Sequence, residues 1–165
     1  EEKVAKVTVG INTSKANVSI NLVEIFAPTL PFFLSIHVRK IFLITGGTSG
    51  IGFHTAQEIA KEKKTVIITG KNLIKGKKIL NQIKNNASND DIHYINGDLS
   101  SQEEILNIVK VIKKKFSKID VLINNVGTAY LKRTESVDGI EKTFATNHLS
   151  YLLSFYKKYL HNNFN

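Results

Sequence analysis

Cysteine is absent from this chain, which excludes disulfides and thiolate metal sites and leaves the redox compartment unmarked. The histidines, at 37, 54, 93, 148 and 161, show no metal-ligand spacing, so no metal is expected. Methionine is absent too and the chain opens on Glu1, as expected of a processed product or, preferably, of a fragment of a longer protein. A long uninterrupted hydrophobic run is also missing. Residues 22–38 come nearest, but they contain Glu24, Pro28 and Pro31 and fall short of the ~20 apolar residues that a membrane span needs. A tail packed on a domain, or a segment out of its context, is the expectation there, with a membrane anchor as the less favoured alternative. Acidic residues are in deficit, giving a net charge of +9, yet the lysines are scattered among asparagines and form no stripe interleaved with aromatics. A nucleic-acid partner is therefore not expected.

What is present suffices for one ordinary domain, with 165 residues of which 42% are hydrophobic. Residues 1–39 read as a weakly structured or membrane-proximal extension, in which Val7, Val9 and Ile11 alternate ahead of a polar stretch, the pattern of a hairpin or a loose tail. From residue 40 onward, short runs rich in Ile and Val at 40–45, 65–69, 91–96 and 119–124 alternate with longer segments of helical period. That alternation predicts a βαβ series and an α/β fold built on a parallel sheet.

The first helix is predicted to start at a glycine turn, with Ala56 and Ala60 one turn apart so that it can lie close to the sheet. The second begins near Asn72, a good N-cap. A capping box, Ser101-Gln-Glu-Glu104, announces the third, which carries Ile105, Ile108, Val109, Ile112 and Phe116 at helical spacing. Lysines 113–115 fall in its last turn, where they complement the helix dipole rather than mark a binding patch. Residues 139–161 predict an amphipathic helix with Ile140, Phe144 and Tyr151 on one face, wide enough to serve a homodimer.

The most informative segment follows the first strand and reads Thr45-Gly-Gly-Thr-Ser-Gly-Ile-Gly52. Gly46, Gly50 and Gly52 lack Cβ atoms, so the backbone can bend sharply and bring a pyrophosphate to the N-terminus of the next helix. A P-loop would place Lys and Ser or Thr after its last glycine, but Phe53 and His54 stand there. A hydrolase elbow needs Gly-x-Ser-x-Gly, and Gly50-Ile51 after Ser49 puts the glycine in the wrong place. Ser49 is thus expected to contact phosphate, not to act as a nucleophile. After the second strand, where an NAD site would offer a carboxylate to the ribose, the chain reads Thr69-Gly70-Lys71-Asn72. Lys71 would attract a 2′-phosphate, which points to NADP(H).

At this point residues 40 to about 159 resemble the short-chain dehydrogenase/reductase family. The glycine turn matches its Thr-Gly-x-x-x-Gly-x-Gly, Asp98 and Leu99 look like its adenine-contacting pair, and Asn124-Asn125-Val126-Gly127 is similar to its Asn-Asn-Ala-Gly. Asn147, in Thr-Asn-His-Leu, matches its helical catalytic asparagine. The wording Thr-Gly-Lys-Asn and Phe-Ala-Thr-Asn-His-Leu is nearest to the retinol-dehydrogenase-like and WW-domain-oxidoreductase-like branch.

The resemblance implies a Rossmann-type doubly wound sheet, incomplete at about four strands, over residues 40–165. It also implies NADP(H), a small carbonyl or alcohol substrate, and a cytoplasmic or cytoplasm-facing membrane-associated setting. Thr45, Gly46, Thr48, Ser49, Gly50, Ile51, Gly52, Lys71, Asn72, Asp98, Leu99, Asn124 and Gly127 are the cofactor residues so implied. Asn147 would hold a water in a proton relay. Read without the family, it lies along the apolar row of its helix, and a buried amide there must be hydrogen-bonded, tying helix to strand. The family's proton-donating tyrosine, the lysine four residues on and its serine have no counterpart, since Tyr151, Tyr156 and Tyr159 are followed four later by Phe155, Leu160 and Asn163. The isolated chain is accordingly expected to be inactive, with its fourth strand left as an edge and prone to association; a monodisperse, cooperatively melting monomer would count against the latter.

Overall fold

The computed structural model describes residues 9–13, 16–20 and 40–151. The chain divides into two units, Glu1–Arg39 and Lys40–Asn165. In the first, β1 (Val9–Thr13) and β2 (Ala16–Ile20) form an antiparallel pair, with Val9 opposite Ile20 and Thr13 opposite Ala16. The membrane candidate at 22–38 lies outside the described residues. Among the described residues no helix is long and apolar enough to cross a membrane.

In the second unit, β3 (Ile41–Ile44), α1 (Gly50–Lys61), β4 (Thr65–Gly70), α2 (Leu73–Ala87), β5 (Ile92–Asn96), α3 (Gln102–Lys115) and β6 (Val121–Ile123) follow the predicted alternation, with boundaries moved by one or two residues. The four strands are parallel in the order β5-β4-β3-β6, the start of a doubly wound sheet. Helices cover both faces, which is why the strands read as continuous apolar runs rather than alternating ones. Phe42, Ile44, Val66, Ile68 and Ile92 pack on one face against α1 and α2, while Leu43, Ile67 and Ile95 meet Ile105, Ile108 and Ile112 of α3 on the other. Ala56 and Ala60 are wholly buried, so the small side chains of α1 lie against the core as their spacing predicts.

The caps follow the sequence with one change. Asn72 Oδ1 accepts from Lys75 N at 2.9 Å and caps α2. Ser101 Oγ accepts from Glu104 N at 3.4 Å, but the reciprocal half of the capping box is not made. The Ser101 N–H already donates to Asp98 O, and Glu104 Oε2 accepts from Asp98 N at 2.7 Å instead.

The predicted helix at 139–161 needs a larger correction. Gly139 has φ +72° and sits with Ile140 in a turn, and α4 (Lys142–Phe144) begins only after Glu141, whose carboxylate caps Thr143 N and Phe144 N. A π-helical turn follows at Ala145–Leu149. Its i→i+5 bonds widen the turn and rotate the buried face by about one residue. Ala145, Thr146 and Ser150 are buried, whereas Phe144 is 50% exposed and stacks on His148. Residues 152–161, with the rest of the proposed dimer face, lie outside the described residues.

One glycine inside a helix has a packing cause. Gly76 is buried in α2 beneath the ring of Tyr94 from β5, and a Cβ there would stand 2.0 Å from Tyr94 Cζ. Alanine usually adds about 1 kcal/mol of helix stability over glycine, and overpacking costs about 1–3 kcal/mol. Gly76→Ala should therefore lower the urea-unfolding free energy; a variant at least as stable as the parent would contradict this packing.

Candidate functional site

The chain after β3 crosses to β4 on one side, and the chain after β5 returns to place β6 on the other, so the sheet reverses direction of growth between β3 and β6. Ligands of open α/β sheets bind at such a point, beyond the carboxyl ends of the strands. A cleft of about 430 Å³ opens there. It is lined by Gly46, Thr48, Ser49, Gly50 and Ile51 after β3, by Lys71 after β4, by Asp98 and Leu99 after β5, and by Gly127 after β6. Four loops distant in sequence thus bring these sequence-predicted residues around one cleft.

The remaining residues of the predicted set do not line it. Thr45 is buried beneath the cleft, where its hydroxyl donates to Ile123 O at 3.4 Å and accepts from Asn125 N at 2.9 Å and Val126 N at 3.1 Å. Gly52 is packed away from it: a Cβ would lie 2.4 Å from Asn125 Nδ2 and 2.6 Å from Gly46 O. Asn72 spends its side chain on the α2 cap, and Asn124 is exposed outside the lining. Its neighbour Asn125 takes the central place. Asn125 Nδ2 donates to Thr45 O at 2.9 Å and to Gly46 O at 3.3 Å, holding the glycine turn to the loop after β6.

The three glycines therefore do different work. Gly46, at φ +68°, admits Val126, whose Cα would stand 3.0 Å from an added Cβ, and Gly52 admits Asn125. Gly50, at φ +55°, faces open space. It begins α1, whose N-cap Ser49 makes no side-chain capping bond and whose first turn contains no acid. The positive end of the helix and its free N–H groups thus face the cleft unneutralised.

Electrostatics at the far wall centre on Asp98. Burial works against its carboxylate, but the Ser100 backbone N–H and hydroxyl, at 2.9 and 2.8 Å, with the charges of Lys71 and Lys142, prevail and hold it below the usual range. Among the described residues Lys71 has no ion pair within 4.0 Å, so its ammonium is not claimed by a neighbouring carboxylate. Lys142 lies over the Tyr130 ring at 5.8 Å, and Tyr130 belongs to the cleft wall.

Asn147 does not line the cleft but clamps it from behind. Its Oδ1 accepts from Thr128 N and its Nδ2 donates to Thr128 O, both at 2.8 Å. The tie joins the π-helical turn to the loop after β6, not to a strand. The Tyr151 hydroxyl donates to Val126 O on the same loop. Gly70, Gly97, Asn125 and Val126 also line the cleft, and Gly97, Thr128, Tyr130 and Thr146 escaped the sequence reading. For Thr128 and Tyr130 the signal was position alone, within a loop that follows a parallel strand; Thr146 arrives through the π-turn and had none.

Comparison with known proteins follows the same boundaries. The family described as short chain dehydrogenase matches residues 40–159. Polyprenol dehydrogenase of Homo sapiens is 36% identical over 114 residues, covering 69% of this chain and 34% of that protein. Retinol dehydrogenase 12 of Mus musculus is 31% identical over 117 residues, covering 71% of this chain and 37% of that protein. Among solved structures, the Pseudomonas aeruginosa RhlG/NADP active-site complex aligns with a TM-score of 0.62 at 26% identity, over 74% of this chain and 47% of that one. The chain spans about a third of the length of these two curated relatives.

Two outcomes check the site. Asn125→Ala should cost about 1–3 kcal/mol in denaturant unfolding, because Thr45 O loses a buried donor; an unchanged midpoint would show that the tie carries no load. A carboxyl held below its ordinary pKa stabilises the fold above the unfolded value, and loses that contribution as pH falls through the folded value. The stability gap between the parent and Asp98→Asn should therefore be full above a pH of about 4 and close in stronger acid. A gap that widens on acidification would reverse the assigned sign.

Proposed function

The chain belongs to the short-chain dehydrogenase family, and from that premise we propose that residues 40–165 form the NADP(H)-binding part of an oxidoreductase acting on a carbonyl or alcohol. One observation carries this: the uncapped N-terminus of α1, with Gly50 open beside it, faces a cleft at the reversal point of the sheet. The donors suit a pyrophosphate, and the cleft volume lies in the range of small-molecule sites.

Bound there, the nicotinamide would supply the hydride acceptor or donor. The protein's part is to bind and orient. Thr48, Ser49 and Ile51 would line the pyrophosphate, Lys71 would hold the 2′-phosphate, Asp98 and Leu99 would border the adenine, and Gly127 would lie along the cofactor at the end of β6. Asn147 sets the backbone of Thr128 and so fixes the floor on which a proton relay would stand. Similarity to retinol dehydrogenase 12 and polyprenol dehydrogenase supports a hydrophobic alcohol or carbonyl as the substrate class.

The activity is proposed for the whole protein, with these residues as its cofactor site. The alternative reading is a non-catalytic NADP(H)-binding module, and whether the gene continues past Asn165 into a Tyr-x-x-x-Lys decides between the two. Both readings require binding, and turnover separates them.

In fluorescence titrations the chain should prefer NADPH to NADH by roughly tenfold or more, the worth of one charge-assisted contact. Lys71→Asp should erase or invert that preference. Equal affinities in the parent would remove the argument from Lys71. The 165-residue chain should show no hydride transfer to retinal or a long-chain enal, and measurable turnover would overturn its reading as a cofactor site without the proton donor.

A further inference from the structure

We infer that Tyr94 is the positioning residue for cofactor discrimination, its hydroxyl fixing the backbone on both sides of Lys71. The inference rests on the reading of Lys71 as the partner of a 2′-phosphate. It concerns a residue that touches neither the cleft nor the proposed ligand.

Tyr94 stands on β5, next to β4, with Ile68 as its strand partner. Its ring covers Gly76 of α2, and its hydroxyl lies 2.6 Å from Gly70 O, 3.0 Å from Asn72 O and 2.9 Å from Asn96 Oδ1. Gly70 and Asn72 are the two neighbours of Lys71. A hydroxyl has one hydrogen, so these oxygens share it, with Gly70 O the nearest. Burial pushes the phenol up from its ordinary value, which keeps it a protonated donor throughout the neutral range.

Both carbonyls are also held from elsewhere. Gly70 O accepts from Gly97 N at 3.0 Å, and Asn72 O accepts from Gly76 N at 2.8 Å. An added Cβ on Gly70 would lie 2.8 Å from Thr48 Cγ2, so the segment also rests on the glycine turn. Among the described residues Tyr94 is the one side chain within hydrogen-bond distance of the carbonyls on both sides of Lys71. Lysine is a flexible stem carrying a point charge, and its grip on an anion depends on where its backbone is fixed. With the backbone pinned, only the side-chain torsions remain to be ordered when a phosphate arrives.

The test is a double-mutant cycle on the full chain, using Tyr94→Phe, Lys71→Ala and the pair, with NADPH and NADH titrated against each. Phenylalanine keeps the ring over Gly76, and a thermal melt of each variant reports its folding. Tyr94→Phe should weaken NADPH about threefold to tenfold, the range of one hydrogen bond, and leave NADH within about twofold. In the Lys71→Ala background the same change should have no effect on either.

If Tyr94→Phe keeps the full NADPH preference while Lys71→Ala loses it, the positioning role is overturned and the reading of Lys71 survives. Equal loss of both cofactors with a lowered melting temperature would also overturn it, because a purely structural residue behaves so. Should the parent and Lys71→Ala bind both cofactors alike, the reading of Lys71 falls and this inference falls with it.

Discussion

The tie between Thr45 and Asn125 holds the rest of the site in place. In a doubly wound sheet the chain leaves its first strand in one direction and later returns on the other side, so the two strands at the reversal point have no connection covering their ends. The β3–β6 ladder ends at the Ile44–Ile123 pair and the bond from Thr45 N–H to Ile123 O, so the segments beyond need another tie. Here the Thr45 hydroxyl bonds Ile123 O at the end of β6 and two backbone N–H groups beyond it, and Asn125 returns two bonds to Thr45 and Gly46. A hydroxyl and a primary amide thus extend the contact past the end of the β3–β6 ladder.

That tie explains a glycine pattern which looks at first as if every member served a ligand. Asn125 and Val126 come so close to the turn that Gly46 and Gly52 have no room for a side chain. Gly50 alone of the three meets open space. The protein needs the first and last glycines to assemble itself, and the middle one to leave the head of α1 uncovered. A sequence shows that side chains are missing at these positions, but not what fills the space.

The same distinction marks what was legible elsewhere. The alternation of strands and helices, the α1 alanines and the Asn72 cap depend on local pattern, which can be read from spacing, while Asp98, Leu99 and Gly127 entered only through the family resemblance. Asn124 and Asn125 could not be told apart that way, because a strand that ends just before them, at Ile123, gives no register for the coil beyond. The row through Ile140, Phe144 and Tyr151 failed because the helix begins only at Lys142, past Ile140, and a π-turn then breaks the 3.6 period between Phe144 and Tyr151. Glu104 likewise had the spacing of a capping box but met an N–H already in use, and turned to Asp98.

The charges of the cleft select for a ligand with more than one anionic group. One wall carries the head of α1, a fixed partial charge that no side chain neutralises. Across it stands Lys71, with Asp98 close enough for each to feel the other. Ser100 holds Asp98 Oδ1 through its N–H and its hydroxyl, which ties that oxygen into its own loop. The two positive positions thus border an acceptor that is already partly satisfied. A lone phosphate would satisfy one of them and leave the other in water, while a ligand carrying two separated anionic groups would satisfy both.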